Sequence, residues 1–538
     1  KQAQKITKMF APKFNKDVLS KLKKLTNGVC DNVIDTYGLL CEIPRGSGNM
    51  DGITKQMLAL GKASGLEVML DKPSGDVIMR KKADKGFEKV PSICFQGHMD
   101  MVCVKTEDSK HNFLTDPLVL QLTDDGWLKA TKTTLGSDNG IGVALGFEML
   151  TNKTFKTGPL ELLLTTNEET DFSGVNFLST DVLQSELLIN IDSEELGYIT
   201  VGSAGGIQAA VEYTFTDKDT TVSKDTDVAI NINLLQASGG HSGVQIDLYR
   251  ANTIKLIARM LYKAAKDLDS VKLVSFNGGQ ASNAIPPATA VRLVGNASDI
   301  KTLSGIADEM AGIFKKEYKS TDPKLSFTST IEDLKVATPV FSRDFTLRTI
   351  KMLHAIPDGV IRMDTDLPEQ MVETSLNTGM VQIEVPSKAA PKGRFTWDNL
   401  MRSSKKTALG ALFSSIEALT EMAGFELKNK TPVTLWEPNL DSQLLVRIKA
   451  AMDKYLAATV DERKTHPMYK KAKSTVFTIH AGLECGEIVA KYPKMDAVSI
   501  GPTIINPHTY SEALYYSDVP IYYNLIKEFV EDFAKQSK

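Results

Sequence analysis

Four short stretches put metal-seeking side chains where apolar runs end. In "CFQGHMDMVC" (94–103), His98 and Asp100 are two positions apart. Alternate side chains of an extended strand share a face, so an imidazole and a carboxylate can address one point. In "TTLGSDNGIGVALG", Asp138 lies in a glycine-bracketed turn just before a helical pattern, where little obstructs its carboxylate. "ELLLTTNEETDFSG" ends in the adjacent acids Glu168 and Glu169, which repel each other in a dry site unless a cation or a proton intervenes. "LLINIDSEELG" ends another buried-looking run with Asp192.

Singly, each has an ordinary reading: a polar strand end for His98 and Asp100, a helix N-cap for Asp138, solvent-facing acids for the rest. Together they point elsewhere, because the C-terminal ends of strands in one α/β sheet converge on one edge, the usual place for its sites. Imidazole and carboxylate donors without thiolate suit zinc or manganese. Two such ions bridged by a carboxylate lie about 3.5–4 Å apart. A second imidazole would complete the set. Of seven histidines, His241 ("SGGHSG"), His480 ("TIHAGLECG") and His508 ("GPTIINPHTYSE") have suitable settings.

These residues need elements to position them. After a Lys-rich start of about 30 residues with the look of a surface helix, "EIPRGSGNMDG" supplies a turn-rich break. Short apolar runs at "LEVML", "DVIMR", "SICFQG", "LELLLTT" and "ELLINID" then alternate with helix-like stretches such as "GIGVALGFEML". This predicts an α/β sheet flanked by helices. From about residue 206 to 436 the pattern changes to alternating strands and amphipathic helices, an inserted α+β domain whose partial recurrence suggests two related halves. The α/β character resumes over 437–538 and closes with an amphipathic helix near 516–535. The expected division is therefore 1–205 and 437–538 for the first domain and 206–436 for the insert. The charged segment 456–474 reads as a surface excursion.

Bulk properties agree with a multidomain globular protein. The chain has 538 residues, 42% hydrophobic and 24% charged, and no stretch reaches the roughly 18–20 apolar residues that span a bilayer. The 63 basic and 66 acidic side chains nearly cancel, giving no electrostatic footprint for nucleic acid. A small-molecule partner is expected. Five cysteines, odd in number and without CxxC spacing, favour free thiols in a reducing compartment and hence the cytoplasm. The chain starts with Lys1 rather than Met, which leaves room for a removed leader. The N-x-S/T matches at Asn152, Asn296 and Asn429 read as chance.

In order along the chain, "IPRGSGN", "QGHMDMV", "TTLGSDNGIGVA", "NEETDFSG", "NIDSEE", "GGHSG", "NAIP", "VETSLNTG", "RSS", "WEPNLDS", "HAGLECG" and "SIGPTI" make up a specific set. With it the chain resembles the aminoacyl-histidine dipeptidases, also called Xaa-His or cytosol non-specific dipeptidases, of the dizinc aminoacylase and carboxypeptidase clan. The resemblance implies a metallopeptidase sheet with an inserted lid domain. It also implies two divalent ions, zinc with manganese or cobalt as alternatives, held by His98, Asp138 as the bridge, Glu169, Asp192 and His508. Asp100 is then the acid that orients the His98 imidazole, and Glu168 the general base. His241 becomes the stabiliser of the tetrahedral oxyanion, reaching it by lid closure or from a second subunit of a homodimer. Asn283 and Arg402 are implied to hold the substrate's backbone and carboxylate, with His480 and Glu484 lining the site.

The chain departs from the pattern in "NAIPP", which lacks the basic residue and acid common after the proline, and in "PHTYSE" for a more usual "PHSPDE". Both departures bear on substrate preference. The expected activity is hydrolysis of unblocked dipeptides, Xaa-His among them. The rival readings are a related N-acyl amino acid deacylase or carboxypeptidase-like amidohydrolase, and a non-catalytic binding or scaffold protein.

Overall fold

A computed structural model describes residues 11–265, 267–367, 371–388 and 390–537. It divides into two compact units: Lys1–Gly202 with Pro438–Thr478 and Leu483–Lys538, and Ser203–Glu437 with Ile479–Gly482.

The first unit is built on an eight-stranded sheet. Its strand order is Glu67–Leu70, Val77–Lys81, Leu160–Thr165, Ile93–His98, Leu187–Asn190, Asp496–Ser499, Tyr198–Ser203 and Thr475–Ile479. The strand Ile93–His98 runs parallel to both Leu160–Thr165 and Leu187–Asn190, so the three C-terminal ends emerge on one edge. Every position of the first two of these strands is buried, as expected for parallel strands covered on both faces and read in sequence as unbroken apolar runs.

The helix Ser137–Thr151 packs on this sheet with almost every residue buried, which explains why "GIGVALGFEML" has no polar stripe. Its glycines let it approach closely. A Cβ at Gly142 would lie 2.1 Å from the Ile191 carbonyl oxygen, and one at Gly146 would lie 2.7 Å from Leu162. That approach sets the non-helical turn at Asp138 and Asn139, just before the regular helix, beside the strand ends.

The N-terminal helix occupies Lys16–Leu25, residues 1–10 of the Lys-rich stretch lying outside those described. The closing helix spans Asp518–Gln536. The segment 456–474 is not a simple surface excursion: Arg463, His466 and Tyr469 are buried. Arg463 donates to the carbonyls of Tyr469 and Lys471 at 3.1 and 3.0 Å, and His466 Nε2 lies 3.0 Å from Asp518. These buried polar groups find partners, so a charged sequence still docks.

The second unit carries a nine-stranded sheet. The main path is Ser326–Asp333, Val228–Leu235, Thr289–Gly295, Lys272–Gly278, Met371–Glu384, Arg394–Ser403, Gly205–Glu212 and Glu426–Val433, with Gly359–Asp364 also paired to Met371–Glu384. Side chains from the helices Thr253–Ala265, Ala297–Glu317, Arg343–Ala355 and Lys406–Met422 join the sheet in one apolar core that includes Phe276, Phe314, Phe345 and Trp397.

Candidate metal centre

The edge of the first sheet collects the residues singled out in the sequence. His98 ends its strand, Glu168 and Glu169 begin a short helical turn just past Leu160–Thr165, and Asp192 follows Leu187–Asn190. His98 Nε2 lies 3.0 Å from Asp138 Oδ1, 3.5 Å from Asp192 Oδ1 and 3.8 Å from Glu168 Oε2. His508, in the loop between Ile504–Ile505 and Ala513–Tyr515, places Nε2 3.1 Å from Asp138 Oδ2 and 3.0 Å from Glu169 Oε2. Among the described residues three groups could therefore hold a cation, each with ligand atoms within 4.8 Å of one another: His98, Asp138 and Asp192; Asp138, Glu169 and His508; and His98, Glu168 and Glu169. The two carboxylate oxygens of Asp138 face different imidazoles, which is the arrangement of a bridge between two sites.

Glu168 and Glu169 sit on a helical turn, not an alternating strand. Successive side chains on a helix diverge by about 100°. Glu168 accordingly turns toward His98 and Glu169 toward His508.

Electrostatics of the cluster show what it lacks. Burial pushes Glu168 well above the ordinary carboxylate range, and it raises Glu169 to about 7 and Asp192 to about 6. For Asp138 burial acts in the same direction, but the His508 and His98 imidazoles outweigh it and hold the carboxyl low. Hydrogen bonds to Asp138 and Glu169 lift His508 to about 11; Asp192, Asp100 and Asp138 together overcome burial and raise His98. Four carboxylates thus face two imidazoles, and Asp192 Oδ1, buried, has among the described residues only the long 3.5 Å approach of His98 Nε2. One imidazole N–H cannot satisfy three carboxylates; a divalent cation can. The donor set of three carboxylates and two imidazoles around a shared aspartate fits two such ions.

Asp100 does more than face the imidazole. Its carboxylate Oδ1 is 3.4 Å from His98 Nδ1, while the Asp100 carbonyl is 3.2 Å from the same nitrogen. The carboxylate also accepts from the Glu168 and Glu169 N–H groups at 3.1 and 3.2 Å and from Ser47 Oγ at 2.8 Å. One acid therefore fixes both the ring and the turn that carries the two glutamates.

Two supporting residues were not picked out in the sequence. Glu512 accepts the N–H groups of Leu135, Gly136, Ser137 and Asp138 at 2.8, 2.9, 2.8 and 3.3 Å, capping the turn that presents Asp138. Its one signal was the acid four positions after His508 in "PHTYSE". Arg45, buried in "IPRGSGN", donates to the carbonyls of Met99 at 3.0 Å and Asp100 at 2.9 Å and to that of Gly136, stitching the His98 strand to the Asp138 turn.

The remaining residues divide between the units. Glu484 belongs to the first: wholly buried, it accepts from Gln96 at 2.6 Å and Thr165 at 2.7 Å, and it braces the two metal-bearing strands without offering accessible surface. Burial raises its carboxyl to about 8. His241, Asn283, Arg402 and His480 belong to the second unit. His241 Nδ1 accepts the N–H groups of Gly243 and Val244 at 3.1 and 3.2 Å, which leaves Nε2 carrying the proton. Gly240 and His241 pair with Ala284 and Ile285, so the backbone brings Asn283 next to His241; Asn377 Nδ2 holds this loop through the Ser282 and Ala284 carbonyls at 2.8 and 2.9 Å. Asn377 lies in "VETSLNTG", where the motif was the only signal.

No family model matches the chain. The chain is 32% identical over 499 residues to the cytosol non-specific dipeptidase of Escherichia coli (strain K12), covering 93% of this chain and 96% of that protein. Among solved structures, the aminoacylhistidine dipeptidase from Vibrio alginolyticus matches with a TM-score of 0.78 at 31% identity, over 93% of this chain and 96% of that one. The aminopeptidase PepT from Bacillus cereus ATCC 10987 shares the fold at a TM-score of 0.50 and 14% identity, over 94% and 98% of the respective chains.

Proposed function

This chain belongs to the cytosol non-specific dipeptidase family, and from that premise we propose that it hydrolyses unblocked dipeptides, Xaa-His among them, at a two-metal centre on the first unit. The observation that carries the reading is Asp138, whose two carboxylate oxygens are shared between the His98 and His508 groups. His98, Asp138 and Asp192 would hold one ion and Asp138, Glu169 and His508 the other. Such ions, zinc by donor type with manganese or cobalt as alternatives, polarise a carbonyl and lower the pKa of bound water.

The chain's own groups then divide the work. Glu168, raised by its burial, takes the attacking water's proton and delivers it to the leaving amine. Asp100 holds the His98 ring and the Glu168 turn in register. His241, with its proton on Nε2, is suited to donate to the developing oxyanion. Arg402 is buried and, among the described residues, its Nε has no hydrogen-bond partner. Burial lowers it to about 10, still cationic at neutral pH, and a substrate carboxylate is the natural counter-ion.

The relative named as a cytosol non-specific dipeptidase supports a cytoplasmic peptidase, as do five free cysteines. No described helix is long and apolar enough to cross a membrane. A homodimer completes the proposal and is tested by light scattering. The activity test compares alanyl-histidine with N-acetyl-alanyl-histidine on protein of measured metal content. Preference for the free amine supports the dipeptidase; preference for the blocked substrate favours the deacylase, and bound metal without hydrolysis favours the scaffold.

A further inference from the structure

The helix Ser137–Thr151 offers Asp138 to the metal centre at one end and lines a separate cavity at the other. That cavity has a volume of about 340 Å³ and lies wholly within the first unit. Leu39, Leu60 and Phe147 give it an apolar wall, Thr36 and Ser64 bring hydroxyls, and Glu148 brings a carboxylate. Glu148 stands nine residues beyond Asn139, about 13 Å along the helix axis. The two sites share an element but no side chain.

Glu148 is the group that the surrounding chain leaves incomplete. It is 4% exposed. Asn32 and Asn152 both donate to Oε1, at 3.3 and 2.7 Å, and among the described residues Oε2 receives no hydrogen bond. Oε2 is not sealed among protein atoms, so it opens on the cavity that Glu148 lines. Among the described residues Glu148 makes no ion pair, although Lys153 lines the same cavity. It occupies the last turn of its helix, where no basic residue occurs and where the carbonyl end of the dipole repels a negative charge. Burial raises its carboxyl above the ordinary range, with the two amide hydrogen bonds opposing the rise. A cation at Oε2 would relieve both the burial and the helix end; a neutral or anionic guest would relieve neither.

An inorganic ion is a poor match. Among the described residues, no three metal-ligating side chains converge here as they do around His98 and Asp138. The volume, within the range of small-molecule sites, and the apolar wall suit an organic cation instead. An ammonium group carries three N–H donors, which the Glu148 carboxylate and the Thr36 and Ser64 hydroxyls can accept. Its hydrocarbon part gains from burial against Leu39, Leu60 and Phe147.

We propose that this cavity binds a primary ammonium ion bearing a short apolar chain, with its charge on Glu148 Oε2 and its hydrocarbon on the apolar wall. The site is independent of what the metal centre hydrolyses.

The probe is isobutylammonium, titrated calorimetrically into metal-loaded full-length protein, with isobutanol and isobutyrate as neutral and anionic controls. The amine should bind more tightly than either control by about 10-fold or more, the range of one hydrogen bond to a charged group. It should slow amide exchange in peptides spanning 32–39 and 147–154 and leave 94–103 unchanged. Glu148→Gln should weaken the amine by about 10- to 100-fold and leave the alcohol unaffected. Thr36→Trp, which fills the cavity and keeps the carboxylate, should weaken amine and alcohol alike. An amine that binds no better than the alcohol overturns the proposal. So does protection confined to 94–103, which would place the amine on the metal ions. Both results come from the wild type and need no variant to fold.

Discussion

Replacing Glu512 by Gln should loosen the turn that presents Asp138, although the two side chains are nearly isosteric. The carboxylate uses both oxygens, one on Leu135 and Gly136 at 2.8 and 2.9 Å, the other on Ser137 and Asp138 at 2.8 and 3.3 Å. A glutamine keeps one oxygen and turns an amide N–H against the other pair of N–H groups. Two bonds to a charged acceptor are then lost, at about 1.5–3 kcal/mol each, or ~3–6 kcal/mol. The 3.3 Å bond is weak, and burial raises the carboxyl's pKa, which weakens its charge. Both considerations place the expected loss near ~3 kcal/mol. The change should appear in urea unfolding of the metal-free protein followed through Trp127, and as faster amide exchange in a peptide spanning 131–150. Metal affinity should fall too, because Asp138 is offered to both ions. An unchanged unfolding midpoint together with unchanged exchange at 135–138 would show that the cap is not what holds Asp138.

Three further outcomes are expected. Glu168→Ala should keep its metal content and lose about 10²- to 10⁴-fold in turnover, as for removal of a general base; a variant retaining a tenth of the activity rules out that role. Asp100→Asn should weaken metal binding about 10- to 100-fold in a competition titration, since it removes the charge behind His98 and the acceptor that holds the Glu168 turn. Without metal, Glu169 at about 7 and Asp192 at about 6 sit above their unfolded values near 4, so the folded state binds more protons than the unfolded one in that window. That stabilisation is complete below about pH 4 and lost as pH rises through 6 to 7. The melting temperature of the metal-free protein should therefore drop between pH 5 and pH 7.5. Metal-loaded protein should drop less, with protons released on loading; equal slopes with and without metal would refute the account.

The strand-end acids were legible because they interrupt apolar runs, and a parallel sheet delivers such ends to one edge. That logic placed His98, Glu168, Glu169 and Asp192 without any knowledge of contacts. Glu512 and Arg45 escaped it for a common reason: their partners are backbone N–H and carbonyl groups, which no residue type advertises. The segment 456–474 misled in the opposite way. Its charge suggested exposure, yet Arg463 spends its donors on carbonyls and His466 meets Asp518, so the polar groups are satisfied inside.

"HAGLECG" is the motif that the fold changes most. In sequence its histidine and acid look like neighbours in one lining. In the structure His480 belongs to the second unit, bonded to Ser375, whereas Glu484 starts a helix of the first unit and is bonded to Gln96 and Thr165. The chain crosses between units within these four positions, which is why both residues occur in so short a motif. Their tasks should therefore separate by experiment. Glu484→Gln should act on the metal-bearing strands, lowering metal affinity or stability with little effect on the kcat/KM ratio of alanyl-histidine to alanyl-histidinamide, and His480→Ala should do the reverse. Variants with the same profile in both measurements would mean that the motif acts as one lining after all.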